Sequence, residues 1–368
     1  MTAESQTLNL DPAPTERSAS AHGRILQLDG LRAVAILAVF LNHAVHTPLT
    51  WAGVDIFFVL SGFLITGILL QRKVSGGGYF SYFYKRRAFR ILPPYALTIF
   101  VYGLFFTWWT FQPWWLFAFF GMNFQRLVFH GHIFFPLPLW SLAVEEQFYF
   151  VWPIVILLVS EKTLYRLAVG ALIFTPILRF LCTPLFQNEF TIYMLTPFRA
   201  DLLCAGAALA ILWKNRTPRF EHLCRSRAWV GVLLGFGALA ISQHWAVMRL
   251  ASNSRPANTF VYSLSLIGSV SLLAWTLADR GWLGAFLTTR PMRFIGQISY
   301  TMYLVHLIPI FLLQQHNVTS GVVIAAISLP IILAYSTASW FLMEKPLIAF
   351  AARKKSAPKH AKTTLKAG

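Results

Sequence analysis

The sequence predicts an all-α polytopic membrane protein with about ten transmembrane helices and both termini in the cytoplasm. Three observations carry this reading. Hydrophobic residues make up 57% of the 368-residue chain and charged residues only 12%, whereas a soluble domain carries roughly a quarter charged residues. The apolar residues fall in runs of about 20, the length a helix needs to cross some 30 Å of hydrocarbon. Lys and Arg gather in alternate connecting segments, which sets the orientation in the bilayer.

The elements follow in order. Residues 1–23 are polar, with acids at Glu4, Asp11 and Glu16. No basic stretch precedes an apolar core there, so the segment reads as a disordered cytoplasmic tail and not as a cleaved signal. A transmembrane domain is expected over 24–347. Its spans fall at about 29–47, 51–71, 94–112, 140–160, 164–182, 194–213, 228–246, 258–278, 297–315 and 321–343. An apolar stretch at 114–129 is an eleventh candidate. Counting it as a crossing would carry the later basic loops outside, so it reads as interfacial or re-entrant on the outer side. The tail 348–368, rich in Lys, Ala and Thr, reads as disordered, cytoplasmic and resting on anionic lipid.

Basic residues decide which loops are inside. The loop 71–92 carries Arg72, Lys73, Lys85, Arg86, Arg87 and Arg90, and the loop 214–227 carries Lys214, Arg216, Arg219, Arg225 and Arg227. Segments 48–50, 183–193 and 316–320 carry none. With ten spans, only Arg126, Arg249 and Arg255 fall outside.

Several function classes are excluded. The net charge of +18 would suggest nucleic acid in a soluble protein, but no aromatic–basic binding module appears. The charge belongs to cytoplasmic loops facing anionic lipid. Cys182, Cys204 and Cys224 form neither an even framework nor a CxxC pair, and no His/Cys metal spacing occurs, so neither a disulfide nor a metal is expected. No internal or inverted repeat is visible, which weakens a transporter reading.

Ionisable residues inside spans are the informative ones, because each is costly in hydrocarbon. In 28–47, LDGLRAVAILAVFLNHAVHT, Arg32 and His43 are three helical turns apart and lie on one face. His43, Asp55, Glu145, Glu146, Arg199 and Asp201 all fall in one layer of the outer half of the bilayer, judged by a rise of about 1.5 Å per residue. A histidine with carboxylates at hand is what proton abstraction from a hydroxyl requires, with Asp55 or Glu145 fixing its tautomer. Each also has a structural reading. For His43 the structural alternative is a hydrogen-bonded histidine. Asp55 reads as a cap near Gly53, and Glu145 and Glu146 as partly capping after Ser141. Arg199 and Asp201 do not face each other and are expected to pair with other spans. His306, near the midplane of its span, reads equally as site or structure.

Arg32 lies about 16 Å below His43, level with the basic stretch FYKRRAFR. Arg86, Arg87 and Arg90 there form a cationic cluster suited to phosphate or, alternatively, a positive-inside anchor. Gly53 and Gly62 are expected to permit close helix approach.

These residues resemble a known family. LDGLRAVAILAVFLNH, GVDIFFVLSGFLIT, FYKRRAFRILPPY, WSLAVEEQFYFVWP and ISYTMYLVHL occur in the order seen in acyltransferase family 3, the membrane-bound O-acyltransferases of the O-antigen acetylase type. The resemblance runs over 28–344. It implies about ten spans and transfer of an acyl group, usually acetyl, from acyl-CoA to sugar hydroxyls. The family's Arg-x10-His motif falls on Arg32 and His43, its RxxR element on Arg87 and Arg90, its VEEQFY glutamates on Glu145 and Glu146, and its GVD aspartate on Asp55. Some members carry an esterase-like domain after the spans, which this sequence does not reach. It is therefore expected to act alone or to pass the acyl group to a separate periplasmic transferase or polysaccharide-export partner.

The resulting expectation is a CoA-dependent O-acyltransferase of the bacterial inner membrane. Arg32, Arg86, Arg87 and Arg90 would hold the phosphates of the donor acyl-CoA, expected to be acetyl-CoA. His43 would be the general base, with Asp55, Glu145 and Glu146 as its carboxylate company. A carbohydrate or glycolipid is the expected acceptor, and direct transfer stands beside an acyl-histidine relay. A transporter moving a sugar or small molecule without covalent chemistry is the alternative from another class, and a structural membrane subunit is a third.

Overall fold

The computed structural model describes residues 25–75, 78–105, 114–128, 138–249 and 252–352. Every regular element among them is a helix. The first six are α1 (Leu26–Val45), α2 (Gly53–Ser75), α3 (Tyr79–Phe105), α4 (Trp114–Ala118), α5 (Gln125–Val128) and α6 (Leu139–Leu158). Next come α7 (Glu161–Cys182), α8 (Glu189–Met194), α9 (Ala200–Lys214), α10 (Pro218–Ser242) and α11 (Tyr262–Ala278). The last are α12 (Trp282–Leu287), α13 (Arg290–Val305), α14 (Leu307–Gln315), α15 (Gly321–Ser339) and α16 (Lys345–Ala352).

Among the described residues, eight helices are long and apolar enough to cross a membrane, and α13 with α14, bent by 44° at their junction, make a ninth. The protein is a multi-pass α-helical membrane protein. The expected tail 1–23 lies outside the described residues, as do residues 76 and 77 and the part of the expected tail 348–368 beyond Ala352; the start of that tail, 348–352, is not disordered but belongs to the helix α16.

Three expected elements differ. The span at 194–213 is divided: α8 ends at Met194, a 3-10 turn covers Thr196–Phe198, and α9 starts at Ala200. Pro197 lacks the N–H a continuing helix would use. The remaining helix of 15 residues is about 22 Å long, short of the hydrocarbon thickness, and almost all of it is buried in protein. The basic segment 71–92, expected as a loop, is helical to Ser75 and again from Tyr79. Arginine is a good helix former, and Arg86 over Tyr82 and Arg87 over Phe83 add aromatic contacts one turn back. The candidate at 114–129 holds only short pieces, α4, a 3-10 turn at Met122–Phe124 and α5, none long enough to cross. Its last residue lies outside the described set.

Helices that cannot gain from hydrophobic burial in lipid associate through close packing of small residues. A Cβ on Gly62 would fall 1.9 Å from the Leu203 carbonyl oxygen, and one on Gly206 would fall 1.9 Å from that of Val59. The backbones of α2 and α9 therefore touch. On the other side of α2, α1 packs along α13. Between α1, α2, α6 and α13 a cavity remains.

Candidate active site

The cavity and its mouth together hold about 540 Å³ of space not filled by atoms, open solvent included. From Val54 to Leu64 on α2 its lining extends about 15 Å along the helix axis. Its walls are mainly apolar, with Phe57, Leu60 and Leu142, and its polar groups are Arg32, Ser61, Ser141, Glu145, Ser299 and the tyrosines 300 and 303.

One polar cluster sits around Arg32. Its Nε donates to Ser299 Oγ at 3.2 Å across the α1–α13 contact. Glu145 accepts from Ser61 Oγ at 2.6 Å through Oε1 and from Tyr149 Oη at 3.1 Å through Oε2. Both acceptor bonds aim the carboxylate into the cavity that Arg32 lines. The Arg87 guanidinium lies 3.5 Å from the centre of the Tyr149 ring, and Arg90 is in electrostatic range of Arg32, Arg87 and Glu344. Glu344 is buried at the end of the last long span, accepting from Thr301 Oγ1 at 2.6 Å and Ser339 Oγ at 3.0 Å. Glu146 is in electrostatic range of Arg87 and has one buried oxygen without a hydrogen bond among the described residues.

Of the four arginines expected together, Arg86 is set apart. It is exposed and shares the Tyr82 ring with Arg72, at 4.5 and 3.3 Å from the ring centre. One residue along a helix is a rotation of about 100°, so Arg87 and Arg90 turn inward while Arg86 turns out.

The second polar cluster is a pair of histidines. His43 Nδ1 is 2.9 Å from the Val39 carbonyl oxygen and 3.3 Å from Nε2 of His306. His306 Nδ1 is 2.7 Å from the Tyr303 carbonyl oxygen. The two rings stand 5.0 Å apart at 58°. Tyr303, which lines the cavity, lies 5.7 Å from the His306 ring, and its hydroxyl meets Ser141 Oγ and the Pro138 carbonyl. The histidine pair thus stands behind Tyr303, with neither ring among the residues that line the cavity.

None of the three carboxylates expected beside His43, Asp55, Glu145 and Glu146, bonds its ring, whose partners are the Val39 carbonyl and His306, and Glu146 stands near Arg87. Asp55 is fully buried in an ion pair with Arg199, and Asp201 bonds Arg179 at 2.8 Å. Asp55 and Phe57 are two residues apart on a helix and so point to nearly opposite sides; Phe57 takes the cavity and Asp55 the α9 side. Glu145 shares the Arg32 cluster and not the outer layer with His43. Asp55 and Glu145 do not act as caps either, since their bonds go to Arg199 and to Ser61 and Tyr149, and Ser141 donates to the Pro138 carbonyl. The pairing of Arg199 and Asp201 with other helices is as the sequence reading has it.

The sequence alone does not mark Ser61, Ser299, Tyr303 or Glu344 as site residues. Ser61 and Ser299 are weakly polar and unremarkable inside spans, and Glu344 next to Lys345 reads as the start of a charged tail. His306 carried a signal, an ionisable group near a span midplane.

A family model described as an acyltransferase domain matches residues 25–344. The chain is 31% identical to peptidoglycan O-acetyltransferase OatA of Listeria monocytogenes, over 76% of this chain and 48% of that protein. It is also 31% identical to the putative peptidoglycan O-acetyltransferase YrhL of Bacillus subtilis, over 89% of this chain and 55% of that one. A putative O-acetyltransferase of Staphylococcus aureus is 26% identical over 87% of this chain and 56% of its own length. The chain spans about half the length of these curated relatives. No solved structure matches it.

Proposed function

The chain belongs to the acyltransferase family whose model covers residues 25–344, and from that premise we propose that it is an O-acetyltransferase of the bacterial inner membrane. It would move an acetyl group from acyl-CoA on the cytoplasmic side to a hydroxyl of a cell-envelope polysaccharide such as peptidoglycan. The relatives' names support the acceptor class.

The observation that carries the reading is one cavity lined by both Arg32, beside which Arg87 and Arg90 stand, and Tyr303, behind which the imidazole pair stands. Arg32, Arg87 and Arg90 suit the phosphates of acyl-CoA. The apolar walls suit its pantetheine arm, which would bring the thioester toward Tyr303 and His43. In the transfer, His43 Nε2 takes the proton of the acceptor hydroxyl as its oxygen attacks the thioester carbonyl. The tetrahedral adduct then collapses and the C–S bond breaks as His43 Nε2 returns its proton to the departing thiolate, so that CoA leaves as the thiol toward the arginines. Glu145, tied to Ser61 and Tyr149, holds the charge balance at Arg32.

The test uses the protein in sealed vesicles with acetyl-labelled acetyl-CoA supplied on the cytoplasmic side and glycan acceptor on the other. His43→Ala is expected to abolish label in the glycan while membrane insertion stays normal. Full transfer by His43→Ala overturns the base. Movement of a sugar or small molecule without turnover of acetyl-CoA would make the protein a carrier instead.

A further inference from the structure

A general base needs its lone pair presented in one direction, which usually requires an acceptor on the other ring nitrogen. The carboxylates that the sequence offered for this are occupied elsewhere, Asp55 by Arg199 and Glu145 by Ser61 and Tyr149. His306 stands in their place.

Hydrogen-bond chemistry assigns the tautomers. A carbonyl oxygen only accepts, so the 2.9 Å contact with Val39 puts a proton on His43 Nδ1. By the same argument the 2.7 Å contact with the Tyr303 carbonyl puts a proton on His306 Nδ1. His306 Nε2 is then a lone pair, 3.3 Å from the His43 Nδ1–H. The His43 proton is shared between the Val39 carbonyl and His306, and its Nε2 is left with a free lone pair. The ring of His306 is fully buried, so this acceptor is fixed. Local sequence explains the aim: Pro309 cannot donate to the Val305 carbonyl, and the helix breaks at His306 with a 44° bend.

Resting on the proposed role of His43, we propose that His306 is a positioning residue for acyl transfer: its Nε2 accepts the Nδ1–H of His43 and so presents His43 Nε2 as the base. When His43 takes the proton of the acceptor hydroxyl, the Nδ1–H of the resulting imidazolium stays bonded to a neutral nitrogen. No proton needs to leave Nδ1, and the Nε2 proton goes on to the departing thiolate. Neutral histidine thereby does the work of an aspartate at a depth where a second charge would be costly.

The experiment compares His306→Ala with His306→Gln for acetyl transfer in vesicles, beside His43→Ala. His306→Ala is expected to lower kcat about 100-fold, the upper range for loss of an orienting partner, with KM for acetyl-CoA within twofold. His306→Gln, whose side-chain oxygen reaches the place of Nε2, is expected to recover at least tenfold of that loss. An unchanged kcat in His306→Ala, or no recovery in His306→Gln, overturns the inference. If His306→Ala does not accumulate, His306→Leu fills the same volume without an acceptor and is compared with Gln in its place. A His43→Ala variant that still transfers acetyl removes the base reading itself. Loss in His43→Ala together with normal kcat in His306→Ala removes only the positioning role.

Discussion

Arg32 and Ser299 meet across two helices whose backbones are in contact. A Cβ on Gly296, one turn before Ser299, would fall 1.8 Å from the Asp29 carbonyl oxygen, one turn before Arg32. The absent side chain lets α1 and α13 close, and the closure sets the 3.2 Å bond between Arg32 Nε and Ser299 Oγ.

Gly296→Ala should therefore act on both stability and donor binding. The clash is with backbone, which cannot swing aside, so the helices must part. Overpacking of this kind costs about 1–3 kcal/mol. The expected outcome is a lower unfolding temperature in detergent and a several-fold rise in KM for acetyl-CoA. An unchanged value of both would mean that the contact does not set the Arg32 position.

Two neighbouring arginines should separate cleanly. Arg87 turns toward Tyr149 and Glu145, whereas Arg86 is exposed beside Arg72 on Tyr82. A charge-assisted phosphate bond is worth about 1.5–3 kcal/mol, or roughly tenfold to a hundredfold in affinity. Arg87→Ala should raise KM for acetyl-CoA by at least tenfold with kcat within threefold, and Arg86→Ala should change KM less than twofold. Steady-state kinetics on purified protein in vesicles decide it; equal effects would place the donor phosphates at the surface and not in the cavity.

What the sequence made legible was depth and period. Runs of apolar residues placed most spans, and an eleven-residue interval placed Arg32 and His43 on one face. What it left dark was direction around each helix relative to partners far along the chain. Asp55 was legible as buried, but its partner Arg199 is 144 positions away. His306 and His43 are separated by 263 positions. The helical start of α3 was hidden because basic residues that anchor a loop also form good helices. Pro197 offered a signal that α9 would be short, and the hydropathy of its flanks masked it.

The buried pair of Asp55 and Arg199 predicts a loss of folding and not of chemistry. Removing one partner of such a pair leaves an uncompensated buried charge, which costs about 3–5 kcal/mol, while replacing both with apolar residues is often tolerated. Asp55→Asn should sharply reduce the yield of folded protein, and the double change Asp55→Leu with Arg199→Met should restore much of it along with transfer. Size-exclusion profiles and activity per folded molecule read the two effects separately. A well-folded Asp55→Asn with kcat down a hundredfold would return the carboxylate to the reaction.

Glu344 offers the sharpest test of the arginine cluster, because its charge and its hydrogen bonds separate in one substitution. Gln at this position keeps an oxygen for Thr301 and Ser339, which hold it at 2.6 and 3.0 Å, and loses the negative charge near Arg90 and Arg32. On the proposed reading that charge competes with the donor phosphates for the same guanidinium groups. At an effective dielectric of about 20, removing it is worth on the order of 1–2 kcal/mol to an incoming anion. Glu344→Gln should then lower KM for acetyl-CoA several-fold and lower kcat as well, because free CoA, which carries the same phosphates, leaves more slowly. Inhibition by added CoA should strengthen in parallel. A raised KM would mean instead that the carboxylate holds Arg90 and Arg32 in place, and that losing this hold outweighs the gain in positive potential.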